Sequence, residues 1–208
     1  MFRDRVDAGT QVALRLQHLR GRDLLVLGIP RGGVPVAAAI ARDLRAELDI
    51  VVARKLGAPM QPELAIGAVT ASGGLYLNEE LLREAGVSRR FLQSAIAYEI
   101  REARRREDRL RGDRPRPRIW QRTVIIVDDG LATGATMRAA ARSVREEKPQ
   151  YLVIAVPVAP PSTCEALGDE ADEVIAVHQP YQFLAVGLHY VDFTPTAEAE
   201  IQALLQAH

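Results

Sequence analysis

The residues best suited to chemistry in this 208-residue chain lie between Thr123 and Thr136, TVIIVDDGLATGAT. A β-branched apolar run stops at two adjacent carboxylates, Asp128 and Asp129. Gly130 to Thr136 then holds two glycines, two threonines and no lysine. Gly130 and Gly134 allow tight turns and close approach of a ligand. Thr133 and Thr136 add hydroxyls. The amides from Leu131 through Ala132 and Ala135 converge where the next helix begins, and a helix start favours an anion. This describes a phosphate cradle. It lacks the lysine and spacing of a Walker A loop and the G-x-G-x-x-G of a dinucleotide fingerprint. The two acids upstream can accept hydrogen bonds from vicinal hydroxyls, as on a ribose, or hold a hydrated Mg²⁺. A phosphate cradle behind a diol clamp suits a ribose 5-phosphate.

The elements that must carry these residues follow from hydrophobic period. Asp4 to Leu19 has helical spacing, and LLVLG (Leu24 to Gly28) reads as a buried strand. Val34 to Leu48 reads as a helix, IVVARK (Ile50 to Lys55) as a second strand, and GAPMQPE (Gly57 to Glu63) as a loop. AIGAVT gives a third strand and SGG a turn. Asn78 and Ser88 are expected to cap two helices, the longer with Leu92, Ile96, Ile100 and Ala103 as its stripe. RPRPR stops it. VIIVDD, LVIAVPVA and EVIAV are further strands, with a helix from Gly134 to Glu147. Alternating strands and helices predict an α/β fold with a doubly wound, mainly parallel sheet. Such sheets bind ligands at the carboxyl ends of their strands. The loops Gly28 to Val34, Lys55 to Glu63 and Asp128 to Thr136 are expected there. In the first of these, Arg31 with Gly32 and Gly33 offers a guanidinium and free amides to a diphosphate.

VIIVDDGLATGAT resembles the phosphoribosyl-diphosphate binding motif of the type I phosphoribosyltransferases: four apolar residues, two acids, and a small loop ending T-G-x-T. GIPRGGVPVA resembles that family's diphosphate loop. The likeness covers about residues 24 to 190. It implies a single domain over 1–208, with an Arg-rich helical insertion at 78–120 outside the common core and a candidate hood at 178–193. It implies Mg²⁺-dependent transfer of 5-phosphoribosyl from phosphoribosyl diphosphate to a nitrogen nucleophile, a nucleobase in most members, with release of diphosphate. Arg31, Lys55, Asp128 and Asp129 would be the catalytic set, with Arg54 as rival to Lys55 and the two aspartates as metal ligands. Gly32, Gly33 and the loop Gly130, Leu131, Ala132, Thr133, Gly134, Ala135 and Thr136 would bind substrate. Phe183 would stack on the acceptor base with Asp192 nearby; Tyr181 or Leu184 are the neighbouring alternatives. The family also implies a cis bond between Pro30 and Arg31, and GAPMQPE is expected to be a mobile lid. Where 6-oxopurine members carry an aspartate, this chain has Ala132, so Glu63 is a substitute acid–base candidate. A non-catalytic sensor on the same fold is the alternative reading.

Formal net charge is zero but unevenly spread. Arg83 to Arg122 holds thirteen arginines against six acids, and Pro149 to His208 holds eight acids and no lysine or arginine. Arginines number 25 against two lysines, a bias that fits codon usage or heat adaptation. The interleaved acids of the basic arm favour a solvated helix or a homodimer contact over a nucleic-acid surface. No apolar run approaches the ~20 residues of a membrane span, and MFRDRVDAGTQ lacks a signal peptide's apolar region. One cysteine, Cys164, excludes a disulfide framework and a cysteine metal site. A cytoplasmic location is the expectation.

Overall fold

The computed structural model describes residues 1–208. Asp4 caps α1 (Arg5–Arg15) by accepting a hydrogen bond from the Asp7 amide. A short 3₁₀ turn leads into β1 (Leu24–Gly28), then α2 (Gly33–Leu44) and β2 (Glu47–Ile50). A second, antiparallel sheet follows, made of β3 (Ala53–Ala58), β4 (Gln61–Thr70) and β5 (Leu75–Leu77), and then α3 (Glu79–Glu84) and α4 (Arg89–Arg111). The chain returns to the main sheet with β6 (Thr123–Val127), α5 (Ala135–Glu146), β7 (Tyr151–Val158), α6 (Pro161–Leu167) and β8 (Glu173–His178), and ends in α7 (Glu198–Gln206). The main sheet has order β2-β1-β6-β7-β8 and every pair in it is parallel.

Strand alternation divides the core between the two faces. Leu24, Val26, Ile125, Val127, Val153 and Ala155 pack with α1, α2 and α7. Their neighbours Leu25, Leu27, Val124, Ile126, Leu152 and Ile154 pack with α5 and α6. The sheet is thus covered on both sides, as apolar parallel strands require.

The expected caps are present: Asn78 accepts from the Leu81 amide and Ser88 from the Phe91 amide. The arm is not a free appendage. Leu92, Ile96 and Ile100 of α4 lie on the second sheet against Leu56, Ile66 and Val69, and Ala103 and Leu110 reach the main core.

Three expectations need correction. IVVARK is not one strand: Ile50 ends β2 of the parallel sheet and Ala53 begins β3 of the other. The helix expected to reach Leu48 stops at Leu44, where Arg45 takes a left-handed conformation with φ 56°. Its last residues hid β2 because Asp49 is a buried acid inside a strand, made tolerable by Arg111. GAPMQPE is the turn and flanks of the β3–β4 hairpin, with Gly57 opposite Ala65 and Ala58 opposite Gln61, rather than a loop between separate strands. Lys55 is therefore within an antiparallel hairpin and not at the carboxyl end of a parallel strand. The short β5 and α6, and the terminal α7, were not expected.

Candidate active site

The two acids leave β6 where it lies beside β1, with Val127 opposite Gly28. The loop after β1 folds directly onto them. The Ile29 amide donates to the Val127 carbonyl at 2.8 Å, and the Pro30–Arg31 peptide is cis, as the family resemblance implies. A Cβ on Gly33 would stand 2.6 Å from the Val127 carbonyl oxygen and 2.8 Å from Asp128 Cα. A Cβ on Gly32 would stand 1.8 Å from Asp129 Oδ2. Only glycine lets this loop touch the carboxylate.

Asp128 and Asp129 are not equivalent. Burial, and then the charge of Asp129, push Asp128 well above the ordinary carboxylate range. Burial also raises Asp129, but Arg5 opposes it. Arg5 Nε donates to Asp129 Oδ2 at 2.9 Å, and Nη2 lies 2.8 Å from the same oxygen as an ion pair. The Tyr190 hydroxyl donates to the Asp129 carbonyl at 2.6 Å, and burial raises that hydroxyl's pKa. Both carboxyls are raised, Asp128 the more strongly, while Arg5 favours the charged form of Asp129.

Behind the acids the loop divides. Leu131 is buried in the core and its amide donates to Val158 O, so that amide is not free for a phosphate as the sequence suggested. Thr163 Oγ1 donates to the Ala132 carbonyl at 2.6 Å and fixes the loop from outside. No backbone carbonyl takes the amides of Ala132, Thr133, Gly134, Ala135 or Thr136. Ala132 and Thr133 are exposed, and Gly134, with φ 72°, turns the chain into α5. A turn of free amides at the start of a 12-residue helix is an anion site in chemical terms.

The remaining candidates are distributed around this centre. Arg31 and Lys55 are exposed. Arg54 is bonded to Glu99 of α4, which leaves Lys55 the freer of the two rivals. Phe183 is half-buried and stacks on His189, centroids 5.5 Å apart and planes at 15°. His178 meets the His189 ring edge-on. Burial, and then His178, lower the pKa of His189, favouring a neutral ring. Asp192 is exposed and accepts from the Thr194 hydroxyl and amide. Tyr181 and Leu184 are exposed, as is Glu63 on the outer part of β4.

Sequence reasoning missed Arg5, Tyr190 and Phe193 at the acid pair, and Arg106 on the arm. Nothing marks Arg5 among 25 arginines, 124 residues from its partner. Arg106 Nε is buried without a hydrogen-bond partner. Burial lowers its pKa, Glu198 opposes, and the charges of Arg31, Arg54 and Arg109 lower it further.

Asp128 and Asp129 offer two adjacent carboxylates, a donor set compatible with an Mg²⁺ that keeps its waters and shares substrate oxygens. Asp129 Oδ2 also faces the Arg5 guanidinium, and no group of three or more His, Cys, Asp or Glu side chains converges into an all-protein cage.

The family model described as phosphoribosyl transferase domain matches residues 11–187. The chain belongs to the phosphoribosyl transferase family. The crystal structure of TT1426 from Thermus thermophilus is 43% identical, covers 100% of this chain and 98% of its own, and superposes with a TM-score of 0.84. The curated protein named "Putative phosphoribosyl transferase Rv0571c" from Mycobacterium tuberculosis is 43% identical over 209 residues, covering 100% of this chain. This phosphoribosyl transferase chain spans about half the length of the curated relatives it matches, 47%. AQ2163 from Aquifex aeolicus, at 12% identity, 89% and 66% coverage and a TM-score of 0.50, shares the fold alone. No helix of the chain is long and apolar enough to cross a membrane.

Proposed function

We propose that the chain transfers 5-phosphoribosyl from phosphoribosyl diphosphate to a nitrogen nucleophile, a nucleobase in chemical class, and releases diphosphate. The observation that carries this reading is the contact of Gly32 with Asp129. Phosphoribosyl diphosphate has its diphosphate on the carbon next to the 2,3-diol. Its binder needs a diphosphate loop touching a diol clamp, with a 5-phosphate cradle downstream of the clamp. Here the cradle follows the clamp directly in the chain, and the diphosphate loop folds against the clamp.

In the reaction the bond from C1 to the diphosphate oxygen breaks and the oxygen keeps the electron pair. The acceptor nitrogen forms a bond to C1 and gives up its proton. Asp129 would accept from the ribose hydroxyls and lies where positive charge develops on the sugar. The amides of Ala132 to Thr136 would hold the 5-phosphate, so that most of the rate comes from positioning. Arg31, with Gly32 and Gly33, would take the leaving diphosphate, and Lys55 would join it from the hairpin. Mg²⁺ would enter this scheme on the substrate's own oxygens, with Asp128 and Asp129 as the protein carboxylates that would hold it. Phe183, already paired with His189, offers its other face to an acceptor.

Diphosphate release, measured with Mg²⁺, phosphoribosyl diphosphate and a panel of bases, tests the proposal. Release that depends on one base supports it. Tight binding with no release under any base would replace it with the second reading, a sensor of phosphoribosyl diphosphate. Absence of binding would end both.

A further inference from the structure

The N-terminal segment does more than start the fold. Phe2 donates its amide to the His189 carbonyl at 2.8 Å, the Val191 amide donates to Phe2 O at 2.8 Å, and the Asp192 amide donates to Arg3 O at 2.8 Å. The segment therefore lies along the hood, joined to it by a single parallel bridge between Phe2 and Tyr190. Two residues later Arg5 turns to the acid pair. Its Nε bonds Asp129 Oδ2, which Nη2 also faces at 2.8 Å, its Nη1 donates to the Thr194 carbonyl at 2.7 Å, and its Cζ sits 4.0 Å from the centre of the Phe193 ring. The side chains of Arg5 and Asp129 are only 11% and 14% exposed. A planar guanidinium with two donors engaged on different partners and a ring beneath it is tightly constrained. Its Nε also stands 3.1 Å from the Cβ position of Gly32. One side chain thus touches the diol clamp, borders the diphosphate loop, and is gripped by the hood.

We infer that Arg5 is a positioning residue: it fixes the Asp129 carboxylate for the ribose diol and couples that clamp to the hood through Thr194 and Phe193. The inference rests on the proposed phosphoribosyl diphosphate reading. It gives the N-terminal segment a role in substrate binding, since its contacts extend from the acceptor side to the ribose side. Arg5 itself touches no reacting atom. Lysine keeps the charge but lacks the planar fork whose separate nitrogens hold Asp129 and Thr194 in a fixed geometry.

The test uses the full chain and calorimetry with two probes, phosphoribosyl diphosphate with Mg²⁺ and inorganic diphosphate with Mg²⁺. Arg5→Met is expected to weaken phosphoribosyl diphosphate at least tenfold and to leave inorganic diphosphate within twofold, because only the former has a diol. Arg5→Lys should recover part of the loss. Phe193→Leu, which keeps Arg5 but removes the ring under it, should weaken phosphoribosyl diphosphate several-fold with the same selectivity. These two variants carry the test if Arg5→Met does not fold. Unchanged or tighter phosphoribosyl diphosphate binding in Arg5→Met overturns the inference, the tighter case meaning that Arg5 blocks the clamp. Equal losses for both probes also overturn it and reduce the contact to a structural ion pair. A wild type that binds inorganic diphosphate but not phosphoribosyl diphosphate instead overturns the functional reading beneath it.

Discussion

Gly32→Ala isolates one contact. The backbone at Gly32 has φ −64° and ψ −31°, which alanine adopts freely. By conformation alone the change should stabilise the chain by about 0.4–1 kcal/mol through the unfolded state. The added methyl, however, would lie 1.8 Å from Asp129 Oδ2 and 2.5 Å from its Cγ, where real contacts below 3.0 Å are essentially never seen. The carboxylate must move by more than an ångström. That breaks its hydrogen bond from Arg5 Nε at 2.9 Å and disturbs the ion pair with Nη2 at 2.8 Å. Breaking one charged hydrogen bond costs about 1.5–3 kcal/mol, which is roughly 4–10 °C in melting temperature for a chain of this size. A clamp displaced that far should also lose ~10²-fold in turnover or ligand affinity. The decisive comparison is Gly32→Ala in an Asp129→Ala background, followed by thermal unfolding. With the carboxylate gone the methyl meets only the end of Arg5, and the substitution should become neutral or stabilising, a reversal of sign. Equal destabilisation in both backgrounds would refute the contact as the cause.

Asp128→Asn should raise the melting temperature of the free protein at neutral pH. Asp128 is raised in the fold above its ordinary value of 3.8, so its contribution is favourable while protonated and is lost as pH rises through the raised value; the variant's stability should show less of that decline between mildly acidic and neutral pH. Arg111→Met should cost about 3–5 kcal/mol in chemical unfolding, because it leaves the buried Asp49 carboxylate without its cation; a loss below about 1 kcal/mol would show that Asp49 is held by other groups. Arg106→Met should weaken inorganic diphosphate several-fold with little change in stability, since its Nε bonds nothing in the free protein; unchanged affinity would separate Arg106 from the anion site. Phe183→Ala should raise KM for the acceptor by the equivalent of ~1–3 kcal/mol and leave phosphoribosyl diphosphate affinity in place; a large drop in melting temperature with normal acceptor KM would assign Phe183 to packing with His189 alone.

The parts of the site that are contiguous in the chain were legible, and the parts assembled across it were not. The acid pair, the glycine loop and the diphosphate loop each occupy one strand end, so their order and spacing carry the information. The two-faced core was legible for the same reason, because alternate residues in β1, β6 and β7 are apolar on both faces. β2 was misplaced because Asp49 violates that pattern, and its compensation by Arg111 lies 62 residues away. β3 and β4 were read as separate parallel strands because a Pro- and Gly-containing hairpin turn and an inter-strand loop share a composition. Arg5 was invisible: its meaning depends on Asp129, Thr194 and Phe193, three partners that only the folded chain brings together.

The charge asymmetry has a partial structural resolution. Several arginines of the basic stretch bond neighbouring elements, while most of the thirteen remain exposed. Arg111 neutralises Asp49 and Glu107. Arg104 donates to Ala71 O, and Arg114 to Leu205 O and Leu48 O. Arg122 bonds Asp23, Glu47 and the Leu24 carbonyl. Arg109 reaches Glu198 of α7, so the basic arm meets the acidic C-terminal segment directly. At the arm's inner face Arg106 Nε is buried without a partner, and the charges of Arg31 and Arg54 act on that guanidinium. The arm latches the second sheet to the core, because Leu92, Ile96 and Ile100 pack on the sheet while Ala103 and Leu110 enter the main core.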